Sequence, residues 1–98
     1  MLYSINYDLK GPKADYAQLI EAIKGVGTWW HYLDSMWLVV SQDGAQQVYE
    51  RIASYLKPSD NLIVMDVTRS AYWGILPKDA WPWIADRQRE EQTRASNG

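Results

Sequence analysis

The feature that most constrains this chain is the order in which its hydrophobic spacing changes. Residues 2–8 alternate, with Leu2, Ser4, Asn6 and Asp8 on one side and Tyr3, Ile5 and Tyr7 on the other, and the breakers Lys10, Gly11 and Pro12 follow. Over residues 14–24 the spacing becomes three and four, through Tyr16, Leu19, Ile20 and Ile23, and Gly25 and Gly27 supply stop signals; Asp15 is placed to cap this helix. Residues 28–33 and 36–41 return to aromatic and β-branched runs, and the short break at Asp34 and Ser35 predicts a hairpin. After Gln42, Asp43 and Gly44, Val48, Ile52, Tyr55 and Leu56 mark one face of a second helix, which Pro58 and Ser59 end. Residues 61–68 form a nearly continuous apolar run, the pattern expected of a central strand rather than an edge.

Strand, helix, strand, strand, helix, strand predicts an α+β domain of the ferredoxin-like βαββαβ type. Its sheet would have four antiparallel strands and both helices on one face. With 98 residues the chain holds one core, and residues 1–85 are expected to form that single domain. Residues 72–76 read as a short fifth extended piece. Residues 77–84 read as a loop or brief helical turn, because Pro82 argues against a smooth helix. The charged and polar residues 86–98 are expected to be a disordered tail.

Composition narrows the function classes. There is no cysteine and one histidine, which removes disulfides, thiolate metal sites, thiol nucleophiles and His-rich metal sites together. For so short a chain, a subunit partner is then the expected source of further burial. The first residues lack the pattern of a signal peptide and no run approaches the ~20 apolar residues of a membrane span, so a cytoplasmic protein is expected. A net charge of −2 lacks the basic excess of a nucleic-acid binder, and Lys10, Lys13 and Lys24 read as a solvated edge. The six tryptophans and seven tyrosines, with no phenylalanine, combine apolar bodies with polar handles, which suits core edges and interfaces. Trp29, Trp30, Tyr32, Trp37, Tyr72 and Trp73 are the rings expected at an interface.

Asp8 is the leading candidate for chemistry. A carboxylate at a strand end can join its symmetry mate to hold Mg²⁺, a hard cation that prefers oxygen ligands; the plainer role is to accept backbone N–H bonds from the following loop. Asn6, Asp34 and Asp66 are further polar candidates. His31 beside Asp34 could act as a general acid or base, or serve as a structural histidine at the sheet surface. Ser4, Ser35 and Ser41 lack the strained glycine turn of an activated nucleophile. The hairpin rings could stack bases, although the glycine, aromatic and basic pattern of RNA-binding sheets is missing.

The segments Tyr3-Ser4-Ile5-Asn6-Tyr7-Asp8-Leu9, Thr28-Trp29-Trp30-His31-Tyr32-Leu33-Asp34-Ser35-Met36-Trp37-Leu38-Val39 and Tyr72-Trp73-Gly74 resemble the small bacterial and phage proteins of the SinR family. Those in turn resemble the smaller of the two CRISPR adaptation proteins, the Cas-two-like superfamily, here through the fold and the Tyr-Asp that ends the first strand. The resemblance implies a ferredoxin-like homodimer with a partner-reaching segment of about 70–85, in which residues 72–76 reach the partner's sheet. It also implies a metal-binding, phosphodiester-hydrolysing role for Asp8. The chain differs from that superfamily in lacking an arginine-rich lead into the first helix and in carrying Trp29 and Trp30 on the hairpin. The expected function is thus a homodimeric interaction module without catalysis. The alternatives are a Mg²⁺-dependent endonuclease using Asp8 from both subunits, and a module that binds a nucleotide or small ligand on its aromatic sheet face.

Overall fold

The computed structural model describes residues 1–97, with side chains through Arg94. In chain order the elements are β1 (Leu2–Asp8), α1 (Ala17–Lys24) preceded by a 3₁₀ turn (Lys13–Tyr16), β2 (Trp29–His31), β3 (Met36–Val40), α2 (Ala45–Ala53), β4 (Asn61–Asp66) and α3 (Ala80–Asn97). The four strands form one antiparallel sheet in the order β2-β3-β1-β4. This is an α+β fold. No described helix is long and apolar enough to cross a membrane.

The alternation in β1 divides the interior into two clusters. Tyr3 and Ile5 point to the face where α1 contributes Leu19 and Ile23, α2 contributes Val48 and Ile52, and β3 contributes Trp37 and Val39. Leu2 points the other way and packs with Leu38, Ala80 and Ile84, with Trp30, Leu76, Trp81 and Trp83 around them. Gly27 leads into β2 because a Cβ there would lie 1.9 Å from the Val40 carbonyl oxygen, closer than any side chain permits. Gly44 precedes α2, and its backbone N–H donates to Gln47 Oε1 at 2.7 Å, which occupies one group that the helix itself leaves free.

Four expectations need correction. Residues 80–97 are one helix, not a loop followed by a disordered tail. Pro82 is the third residue of α3, where the backbone N–H would have no partner within the helix, so its missing donor does no damage. The polar part of α3 is docked: Gln88 Nε2 donates to the carbonyls of Val67 and Ser70, Gln92 Nε2 donates to that of Thr68, and Glu91 is 2% exposed. Second, β4 is an edge strand in spite of its apolar composition, leaving Ile63 55% and Met65 50% exposed.

Third, Asp15 does not cap α1. Its carboxylate accepts from Lys57 Nζ instead. Fourth, Trp37 belongs to the core rather than to an interface: it is 2% exposed and offers no surface to a partner.

Candidate functional site

Two regions outside the packed cores bring candidate residues together. The first is a cleft of about 560 Å³ beside the hairpin, where β1 ends and β2 begins. Hairpin pairing sets Trp29 opposite Val39 and His31 opposite Trp37, so both side chains share the face of Trp37. The His31 ring stacks on Trp37 at 3.8 Å between centroids and 5° between planes, and Trp29 meets Trp37 at 5.1 Å and 59°. His31 Nδ1 lies 2.9 Å from the Met36 carbonyl, which can only accept, so Nδ1 carries the proton and Nε2 is the free position of the neutral ring. The Trp37 indole N–H donates to the Tyr7 hydroxyl at 2.9 Å, and that hydroxyl donates to the Asp34 carbonyl at 3.2 Å. Burial raises the Tyr7 phenol above its ordinary pKa, partly offset by the Trp37 hydrogen bond, so it stays protonated.

Asp8, Asp34, Lys13 and Lys24 also line this cleft. Among the described residues the Asp8 carboxylate accepts from a side chain rather than from the backbone N–H groups of the following loop. Its carboxylate is 68% exposed and accepts from Lys10 Nζ at 2.7 Å. That contact raises the pKa of the Lys10 ammonium and occupies an oxygen a cation would need. Among the described residues no group of three or more His, Asp or Glu could hold a metal ion, and Mg²⁺ therefore does not fit Asp8 as a site built from one copy. Asp66 is remote from Asp8, since Asp8 pairs with Asn61 at one end of β4 and Asp66 pairs with Tyr3 at the other. Its carboxylate accepts from the backbone and hydroxyl of Thr68.

The loop-organising role considered for Asp8 falls to Asp60, which sequence reasoning missed. Its Oδ1 accepts from the Lys10 backbone and the Tyr16 hydroxyl, and its Oδ2 accepts from the Lys57 backbone. Desolvation opposes ionisation, but these hydrogen bonds prevail and hold the Asp60 carboxyl below its ordinary pKa. Asp60 follows Pro58 and Ser59, a local signature of a turn carboxylate, but two of its three partners, Lys10 and Tyr16, lie 50 and 44 positions away.

The second region is the face that carries α3. The segment after β4 forms a strap along it, residues 71–76, with no regular secondary structure. Tyr72 stacks on Trp81 at 6.2 Å and 2°, and Leu76 packs into the second cluster. Trp73 and Ile75 are 101% and 99% exposed. Of the other rings expected at an interface, Tyr32 is 61% exposed, Trp29 is 41% exposed with Lys24 Nζ 5.4 Å from its centroid, and Trp30 packs against the second cluster. Ile63, Met65 and Ile75 were the residues missed. The apolar run in β4 was visible, but which strands flank it was not.

No protein-family model matches this chain, and no curated protein matches it.

Proposed function

We propose that this chain is a homodimeric interaction module of ferredoxin-like, Cas-two-like fold, in which the 72–76 strap of each copy meets the β4 edge of the other. The observation that carries the reading is the pair Trp73 and Ile75, which stand at full exposure on a segment that Leu76 anchors in the second cluster and Tyr72 ties to Trp81 by stacking. Removing each such side chain from water contributes on the order of 1.5–3 kcal/mol, a gain that a folded monomer leaves unused. The β4 edge supports the same reading. It is bonded to β1 on one side only, has the composition of a central strand and displays Ile63 and Met65. An exposed apolar edge of this kind is a template for an added strand from another chain. The strand order β2-β3-β1-β4, with α1 and α2 sharing one face, supports the ferredoxin-like assignment.

Light scattering after size exclusion at tens of micromolar tests the proposal. Wild type is expected at twice the chain mass, and the double variant Trp73→Ser, Ile75→Ser at the mass of one chain with an unchanged circular dichroism spectrum. A monomeric wild type at these concentrations, or a dimer that survives both substitutions, would sink the idea.

A further inference from the structure

Beneath the strap lies a pocket of about 320 Å³, at the small end of the volume range of ligand sites. Its floor is the β1 and β3 surface at Leu2, Ser4, Asn6 and Leu38, and Tyr72 and Trp81 are among its walls. None of its lining residues is charged. A charged ligand would thus lose its hydration without a counter-charge to replace it, so the occupant must be neutral and mostly apolar.

The floor carries a second, independent mark. Ser4 is 9% exposed, and its hydroxyl oxygen accepts from Asn6 Nδ2 at 2.8 Å. Among the described residues the Ser4 hydroxyl proton has no acceptor, and Asn6 Oδ1 has no donor. A hydroxyl buried this deeply ordinarily finds a partner for its proton, because leaving a polar group unmet away from water is costly. Side by side on alternate residues of β1, the two groups therefore present at least one unspent donor, the Ser4 hydroxyl, and one unspent acceptor, Asn6 Oδ1, to the pocket. Turning the Asn6 amide over would let the Ser4 hydroxyl donate to Oδ1 and leave the amide N–H groups and a Ser4 lone pair unspent, so either orientation offers at least one donor and one acceptor.

We propose that this pocket binds a small, neutral, flat ring bearing a lactam-like edge, an adjacent carbonyl and N–H, with the edge on Ser4 and Asn6 and the ring beside Tyr72 and Trp81. The carbonyl accepts from the Ser4 hydroxyl and the N–H donates to Asn6 Oδ1. The stacked Tyr72 and Trp81 rings favour a planar body over a branched aliphatic one. All of these residues belong to one chain, so the site does not rest on the dimer proposed above.

A heteronuclear NMR titration with 2-quinolone tests the proposal, with N-methyl-2-quinolone and quinoline-2-carboxylate as matched probes. The lactam is expected to shift the amide resonances of Leu2, Ser4, Asn6 and Gly74 with saturation. N-methylation removes the donor and should weaken binding about tenfold, the equivalent of one hydrogen bond of about 1.4 kcal/mol. The carboxylate should not bind. Ser4→Ala should likewise weaken the lactam about tenfold and narrow its advantage over the N-methyl compound. Asn6→Ala, at a less buried position, provides the same comparison should Ser4→Ala fail to fold. The proposal is overturned by an absence of shifts at millimolar lactam. Equal affinity for the lactam and its N-methyl derivative would also overturn it, since that describes a merely greasy groove.

Discussion

The two faces of this sheet are closed by different means. On one, α1 and α2 lie over Ile5, Leu19, Ile23, Val39, Val48 and Ile52, every one of them fully buried. On the other, Leu2 and Ala80 are fully buried, but a pocket lies beside them and the covering strap turns Trp73 and Ile75 into water. The helix there is held largely by polar contacts. Gln88 and Gln92 donate to carbonyls of the 67–70 turn, and Glu91 joins the Met1 ammonium at 2.7 Å and Arg94 at 3.2 Å. Apolar packing is dense and non-directional, whereas each such hydrogen bond contributes only about 1 kcal/mol net and constrains one point. A face closed by point contacts leaves room for ligands and partners. On the first face the room is confined to the cleft at the hairpin margin, beside Tyr16, Ile20, Trp29 and Trp37.

The sharpest test of that contrast is a matched pair of truncations read by urea denaturation. Ile52→Ala is expected to cost about 2–5 kcal/mol, and Ile84→Ala to fall at the low end of that range, because the pocket beside Ile84 lets its surroundings relax. Equal losses would erase the distinction between the faces. Next in size is Gly27→Ala, expected to cost about 1–3 kcal/mol as the new methyl group forces β2 away from Val40.

Glu91→Gln probes the polar closure and should cost about 1–3 kcal/mol at neutral pH. Although burial opposes its ionisation, the Met1 ammonium, Gln42 and Arg94 hold the Glu91 carboxyl below its ordinary pKa. A carboxyl depressed in the folded state adds stability that is fully present above the unfolded pKa and is lost as pH falls through the folded one. Acidification below about pH 5 should therefore destabilise wild type more steeply than Glu91→Gln. Parallel pH profiles would remove Glu91 from the closure. The smallest effect is expected from Trp73→Ser measured on dilute protein, below the dissociation range of the proposed dimer, where stability should change by no more than about 0.5 kcal/mol. A larger loss there would mean that the strap serves its own chain.

Much of the first face was legible from spacing. The alternation of Tyr3, Ile5 and Tyr7, and the helical recurrence of Leu19 with Ile23 and of Val48 with Ile52, identify residues that all join one cluster. The hairpin was legible from the short polar break at Asp34 and Ser35, and its pairing puts Trp29 and His31 beside Trp37 as the alternation requires. The second face was harder because its helix does not advertise itself. Ala80, Ile84, Gln88 and Glu91 recur at helical spacing, but only the first two are apolar; Gln88 depends on carbonyls of the turn after β4, and Glu91 on the distant Met1 ammonium.

What the sequence by itself determined was the kind and order of elements through β4, the two sides of β1 and the apolar faces of α1 and α2, because periods of two and of three to four are local properties of the backbone. Tertiary structure alone decided that β4 lies at an edge, that Trp37 is core while Trp73 is bare, that Asp60 rather than Asp8 organises the loop, and that residues 80–97 form a docked helix. Each of these depends on which distant segment supplies a neighbour. An unpaired strand edge, a ring and a carboxylate acquire their roles from that neighbour, and hydrophobic spacing carries no record of it.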